Sequence, residues 1–232
     1  MRPHRVVVVT GTGTDVGKTW VAQALITTLT KDGVRIAARK PAQSFSPEET
    51  TTDADRLAAA TGETPTEVCP THRWYPIALA PPMAAEVLHR PVPTLADLAG
   101  EIALSWPTHQ VHIALVEGAG GVASPQASDG DTTDLCRAVT ADVVVLVACD
   151  PGLGTINLVR LATRALAPWR VVVHLNRFDP AHDLHRLNRD WLADHDGLEV
   201  TTDIGDLANR IGSGARRPSS YRFSRIRPGF AG

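Results

Sequence analysis

No run of apolar residues in this 232-residue chain approaches the ~20 needed to span a bilayer. The basic start, Met1-Arg2-Pro3-His4-Arg5, leads into a short apolar stretch from Val6 to Val9 and then a Gly/Thr loop. That stretch is too short for the core of a secretory signal. Cysteine is scarce: Cys69, Cys136 and Cys149 stand far apart with no CxxC pair. This argues against a disulfide framework and against a zinc site. Charge of one sign is missing too. The formal net charge of −2 gives no general attraction to nucleic acid or to an anionic membrane, and neither is expected as a partner. No Ser/Gly-rich linker and no internal repeat divides the chain. A single domain over residues 1–210 is therefore expected, followed by a basic tail over 211–232 that carries Arg216, Arg217, Arg222, Arg225 and Arg227. The cytoplasm is the expected compartment.

At 43% hydrophobic and 21% charged residues, the composition suits a folded domain with a sizeable core. Val6 to Val9 is a continuous β-branched run, the pattern of a strand buried on both faces of a parallel sheet. Further strands are expected at Val34 to Ala38, His112 to Val116, Asp142 to Val147 and Arg170 to Leu175. Helical periodicity marks Trp20 to Leu29, Asp53 to Thr61, Thr94 to Leu104, Thr132 to Val139, Thr155 to Leu166 and Asp183 to Asp194. Such alternation predicts an α/β fold, a mostly parallel sheet with helices on both faces. The stretch from Gly62 to Pro82 reads as a long loop, and from Asp203 onward the apolar pattern fades.

In such sheets ligands bind at the carboxyl ends of the strands. After the first strand comes Thr10-Gly11-Thr12-Gly13-Thr14-Asp15-Val16-Gly17-Lys18-Thr19. Thr12 stands where the strict Walker A pattern has its first glycine, but strand, loop and helix follow in the required order. Backbone N–H groups of such a loop point at phosphate oxygens, Lys18 reaches the β/γ-phosphates, and the Thr19 hydroxyl suits Mg²⁺. The implied class is a three-layer P-loop NTPase fold. After the second strand, Pro41 holds Lys40 extended at the sheet edge, where a lysine suits charge developing on a transferring phosphoryl group. A further strand ends in Glu117, followed by Gly118-Ala119-Gly120-Gly121. A carboxylate there holds magnesium in many P-loop proteins, and the glycines permit close backbone approach. Asp53 reads equally as a helix N-cap or as a ligand. His182 and His185 share a helical face, but nothing completes a metal site, so a solvated helix is favoured. Trp20, Trp74, Trp106, Trp169 and Trp191 are scattered and read as packing residues.

Together these residues resemble the dethiobiotin synthetase family over roughly residues 5 to 180. Thr10 to Thr19 matches its phosphate loop throughout, and Val116 to Gly121 matches its Val-Glu-Gly-Ala-Gly-Gly signature. Lys40-Pro41, Ser44, Asp53-Ala54, Pro81-Pro82, Gly152 to Asn157 and Asn176 are supporting matches. Ala42, Phe45 and Leu158 depart from the family pattern, and an expected Gly-x-Ile-Pro turn near Asp203-Ile204-Gly205-Asp206 lacks its proline.

The resemblance implies ATP- and Mg²⁺-dependent joining of CO₂ to 7,8-diaminononanoate, giving dethiobiotin, ADP and phosphate. It implies Lys40, Lys18 and Thr14 at the reacting centre. Nucleotide binding is expected from Asp15, Val16, Gly17, Lys18, Thr19, Trp20, Asp53, Glu117 and Asn176, the last facing the base. Substrate binding is expected from Ser44, Gly120, Gly154 and Asn157, and metal binding from Thr19, Asp53 and Glu117. The segment at Gly152 to Asn157 would reach the site of a neighbouring subunit, so a homodimer is expected. The alternatives are a partition-type P-loop ATPase, a related amidating synthetase and a diverged nucleotide-binding homologue. The first would carry a loop lysine where Thr10 to Gly13 stands, and the second needs a glutaminase domain with a reactive cysteine.

Overall fold

The computed structural model describes residues 2–149 and 151–212. The chain runs β1 (Arg5–Gly11), α1 (Lys18–Lys31), β2 (Ile36–Arg39), β3 (Gln43–Ser44) and α2 (Asp53–Thr61). Then come α3 (Pro65–Val68), β4 (Trp74–Tyr75), α4 (Pro81–Val87) and α5 (Leu95–Leu104). The middle holds β5 (Ile113–Glu117), β6 (Pro125–Ala127), β7 (Gly130–Asp131), α6 (Thr132–Ala138) and β8 (Val143–Cys149). The last stretch is α7 (Thr155–Ala165), β9 (Arg170–Asn176), α8 (Asp183–Asp190), β10 (Glu199–Thr201) and α9 (Ile204–Gly212).

Six strands form the central sheet in the order β10-β9-β8-β1-β5-β2, and every neighbouring pair is parallel. The valine run explains why it is a sheet with two covered faces. Val7 and Val9 enter a core with Val21 and Leu25 of α1, Leu57 of α2 and Leu207 of α9. Val6 and Val8 enter a second core with Leu135 of α6 and Val159 of α7. Burying one such side chain contributes about 1.5–3 kcal/mol, so the alternation ties β1 to both helical layers. β1 is central, and the chain leaves it toward β5 and β2 on one side and toward β8, β9 and β10 on the other. That reversal opens a crevice at the strands' carboxyl ends.

Several expectations need correction. The second strand begins at Ile36, not Val34, because the Val34 N–H folds back onto the Leu29 carbonyl to finish α1. The supposed loop from Gly62 to Pro82 contains α3, a 3₁₀ turn at Thr71–Arg73, β4 and the start of α4. Thr64 and Glu67 form a capping box on α3 with Pro65 in its first turn, local chemistry that needs no periodicity. The helix expected to reach Asp194 changes to a π-turn over Trp191–His195. The apolar pattern does not fade after Asp203. Ile204, Leu207 and Ile211 of α9 pack on the core beside α1. At the expected Gly-x-Ile-Pro turn the chain instead starts this helix, with the Asp206 N–H donating to Asp203 Oδ1 at 2.8 Å. The basic tail lies outside the described residues beyond Gly212. No described helix is long and apolar enough to cross a membrane.

Candidate active site

The phosphate loop wraps between β1 and α1. Gly17, at the start of α1, has φ +91°, and a Cβ there would lie 2.3 Å from Asn176 Nδ2. Asn176, at the end of β9, donates from Nδ2 to the Val16 carbonyl at 2.9 Å. Across 160 positions of sequence, that bond pins the loop from behind. Lys18 is buried, and its ammonium donates to the Gly13 carbonyl at 3.0 Å, inside the curl of the loop. Burial lowers its pKa, and the nearby Lys40 charge adds to that.

Lys40 leaves the sheet just beyond β2 and is only 3% exposed, so it is no surface lysine. Its backbone N–H donates to the Val68 carbonyl at 2.9 Å. The free edge of β2 is secured by Glu63, which accepts the Ala38 N–H at 2.9 Å and pairs with Arg39 at 2.6 Å. The Arg39 guanidinium in turn lies 4.8 Å from the Trp106 ring centroid. Held in this way, the Lys40 ammonium meets Glu117 Oε1 at 2.6 Å and Asp53 Oδ2 at 2.7 Å. Burial opposes its charge, but the two carboxylates outweigh burial and raise its pKa.

Asp53 is available for this because Thr52, not Asp53, caps α2. Thr52 and Asp55 complete a capping box, which leaves the Asp53 carboxylate to the site. Burial acts to raise the Asp53 pKa, but Lys40 overrides it and brings it down to about 2. Glu117, at the end of β5, is 0% exposed, and its pKa is raised by that burial despite Lys40. Thr19 closes the group, its hydroxyl 2.7 Å from Asp53 Oδ1 and 2.8 Å from Glu117 Oε1. One hydroxyl proton serves only one of them at a time, and Glu117 Oε2 is buried with no partner among the described residues.

This donor set fits magnesium. Thr19, Asp53 and Glu117 offer oxygen alone, as a hard cation requires, and the unpaired Glu117 oxygen is a ligand position not used by the fold. Among the described residues no three His, Cys, Asp or Glu side chains make a cage. His182 and His185 stack at 4.3 Å at the start of α8, where the exposed His182 covers a half-buried His185 whose Nδ1 accepts the Asp179 N–H at 3.0 Å. The Cys69 and Cys136 thiols are pushed up to about 12 by burial, which leaves them unreactive.

A cavity of about 730 Å³ opens over these groups. Of the expected residues, Thr14, Asp15, Gly17, Lys18, Thr19 and Trp20 line it from the phosphate loop side, joined by Lys40, Ser44, Asp53 and Gly120. Gly120 has φ +64°, and a Cβ there would meet Ser124 Oγ at 2.3 Å. Val16, Glu117 and Asn176 are buried behind the wall. Trp20 is 55% exposed and faces the cavity, so it is no packing residue, and Trp191 is also exposed. Trp74, Trp106 and Trp169 do pack against the cores.

Gly154 and Asn157 do not line this cavity. They lie exposed at the start of α7, beside the almost fully exposed Leu153. Asn188 of α8 holds the preceding turn by donating to the Pro151 and Gly152 carbonyls, both at 2.7 Å. Sequence reasoning missed Gln43, Arg56 and Arg177 on the cavity wall. Arg177 follows Asn176 directly and has φ +59°, a conformation uncommon for a non-glycine residue and visible only in the structure.

The AAA domain family matches residues 5–175. The ATP-dependent dethiobiotin synthetase BioD of Corynebacterium kroppenstedtii is 38% identical over 97% of this chain and 93% of that protein. The enzyme of the same name from an Anaeromyxobacter species is 41% identical over 68% of this chain and 69% of that protein. Among solved structures, a DUF1611 family protein from Anabaena variabilis superposes with a TM-score of 0.51 at 15% identity. That alignment covers 91% of this chain and 57% of the other, and it shows a common fold alone. With the phosphate loop, the paired carboxylates and two relatives above 30% identity in agreement, the chain belongs to the ATP-dependent dethiobiotin synthetase family.

Proposed function

We propose that this chain converts 7,8-diaminononanoate, CO₂ and ATP to dethiobiotin, ADP and phosphate. The observation that carries the reading is the convergence of Lys18, Thr19, Lys40 and Asp53 on the wall of one cavity, with Glu117 buried behind them and bonded to Lys40 and Thr19. No covalent enzyme intermediate is required, in keeping with the unreactive thiols of Cys69 and Cys136. One substrate amine takes up CO₂ as a carbamate, a carbamate oxygen attacks the γ-phosphorus, ADP leaves, and the second amine closes the ring with release of phosphate. Such phosphoryl transfer asks the protein for positioning and for charge stabilisation.

Thr14 and Asp15, with the loop N–H groups, cradle the phosphates, while Lys18 and Lys40 neutralise charge on the migrating group. Thr19, Asp53 and Glu117 hold Mg²⁺, which when bound offsets phosphate charge. Ser44 and Gly120 face the diamine. Asn176, which holds the Val16 carbonyl behind the phosphate loop, serves the base, and Trp20, exposed on the cavity wall, serves the nucleotide. Gly154 and Asn157 serve the site of a second subunit. Their exposure at the start of α7 supports this, as do the exposed Leu158 and Leu161 on the same helix. The catalytic domain is read as running to the end of α9 at Gly212, two residues past the boundary expected from the sequence because Ile211 packs in the core, with the basic sequence after it as an appended tail and the cytoplasm as its compartment.

The test is phosphate release from ATP and Mg²⁺ with bicarbonate, with and without the diamine, together with mass spectrometry of the product. Diamine-dependent release with dethiobiotin is the expected result. Release indifferent to the diamine would sink the assignment and leave a nucleotide-binding homologue.

A further inference from the structure

Gln43 lies on β3, three residues beyond Lys40, and its side chain is 1% exposed. Its Oε1 accepts the N–H of Ala54 at 3.0 Å, satisfying one of the orphan donors in the first turn of α2. This bond ties the segment that carries Lys40 to the helix that carries Asp53. It also fixes which way the amide faces, since a flip would set two N–H donors against each other. Nε2 is therefore held on the far side from Ala54, and it has no hydrogen-bond partner among the described residues. Gln43 lines the cavity together with Lys40 and Ser44, and Ser44 Oγ is likewise buried without a partner.

A buried amide donor left unpaired is a cost to the fold that an acceptor on a ligand removes. The group presented is a neutral donor in a fixed orientation, so its partner must be an acceptor. A protonated amine has no lone pair to offer. The phosphate oxygens belong to the loop of β1 and α1, whereas Gln43 sits on the segment that follows β2, beside Ser44.

We propose that Gln43 is a substrate-contacting residue whose Nε2 N–H donates to an oxygen of the carboxylated amine, the carbamate that precedes phosphoryl transfer. This inference rests on the reaction proposed above. Lys40 supplies charge to the same group and Gln43 supplies direction, so the carbamate oxygen is oriented before it attacks.

Two variants test it. Q43E keeps an oxygen for the Ala54 N–H but replaces the donor with a second acceptor that opposes a carbamate. Q43M keeps the volume and removes both functions. Both are compared with wild type in kcat/KM for the diamine at saturating ATP, in Mg·ADP affinity by calorimetry, and in thermal midpoint. The expected result is a loss of about ten- to a hundredfold in kcat/KM for the diamine in both variants, the scale of a hydrogen bond to a charged group. Mg·ADP affinity should stay within about twofold, and Q43M alone should lose thermal stability through the unpaired Ala54 N–H. Unchanged diamine kinetics in Q43M would overturn the assignment, and so would nucleotide affinity falling in step with it. Wild-type protein separates the two readings. Dethiobiotin from wild type with unaltered variants overturns the role of Gln43 alone, whereas its absence from wild type overturns the reaction and this role together.

Discussion

The carboxyl ends of β1, β2 and β5 differ sharply from those of β8 and β9. At the first, the buried Lys40 meets the buried Glu117 at 2.6 Å and the half-buried Asp53 at 2.7 Å, with the buried Lys18 nearby. At the second, polar side chains serve the backbone: Asn176 holds Val16, and Asn188 holds Pro151 and Gly152. There the large apolar side chains face outward, with Leu153 95% exposed and Leu158, Leu161, Leu187 and Trp191 also uncovered. Buried charge is tolerated in the first region because each ion has partners, and removing one partner exposes the cost of the rest. Exposed apolar surface in the second region is what a covered interface would remove from water. The first region pairs its charges within one chain, and the second offers the apolar surface that a second copy would cover under the reading proposed above.

The largest expected effect breaks the first region. Lys40→Ala leaves Asp53 and Glu117 without the cation paired directly to both, with only the Lys18 charge remaining nearby. Turnover should fall at least about a hundredfold, the scale of one lost transition-state donor. The thermal midpoint should fall as well, since two carboxylates lose their ion pair. Glu117→Gln, which keeps the shape and leaves Lys40 paired with Asp53, should lose turnover to a similar degree with a smaller change in stability. If Lys40→Ala melts like wild type and still turns over, the paired group is not what organises this region.

The second region should answer differently. Leu158→Glu with Leu161→Glu adds charge to the exposed face of α7 without opening the core. The expected outcome is a monomer by analytical ultracentrifugation where wild type is a dimer. Diamine turnover should drop about tenfold, through loss of the partner's Gly154 and Asn157, with Mg·ADP affinity retained. Equal oligomeric state and equal turnover in both proteins would remove the reason to pair two copies here. A smaller effect links the two regions. Asn176→Ala deletes one hydrogen bond behind the phosphate loop, worth about 1 kcal/mol, so nucleotide affinity should weaken about fivefold by calorimetry. An affinity equal to that of wild type would show that the loop holds its curl without β9.

The same contrast explains what could be read from the sequence. The phosphate loop is a contiguous run whose glycines, lysine and threonine act on one ligand, so adjacency in sequence already implies adjacency in space. Val6 to Val9 and the helix at Asp53 to Thr61 were legible for a like reason, since periodicity is local. The role of Asp53 came only from the family resemblance and not from its own position, because its freedom depends on Thr52 taking over the cap, and its value depends on Lys40 arriving from another strand end. Elements α3 and β4 are too short to show a period, and α9 is apolar only on the side facing α1. Gln43 carries no motif at all. Its significance lies in one satisfied oxygen and one unsatisfied nitrogen, which depend on three-dimensional contacts.

The smallest effect on turnover is expected from His174, and it separates stability from chemistry within the second region. This residue lies inside β9, buried, with Nδ1 3.0 Å from the Thr201 hydroxyl of β10. Burial disfavours the imidazolium and lowers its pKa from 6.5 to about 4, with the Asp203 charge working weakly the other way. The unfolded chain therefore binds this proton more readily than the native one between those two values. His174 contributes its full stability above about pH 6.5, and that contribution is lost as pH falls toward 4, on the order of 3 kcal/mol at most. Thermal midpoints measured from pH 7.5 down to 4.5 should fall more steeply for wild type than for His174→Gln, which keeps a hydrogen-bonding group but takes up no proton. The two proteins should turn over alike at pH 7.5, because the ring lies beneath β9 and away from the cavity. Parallel pH curves would remove burial of this imidazole as the source of acid sensitivity, and the Lys40 group would not take its place: Asp53, held down to about 2, gives up its contribution only below the range scanned, and the raised pKa of Glu117 works in the opposite sense.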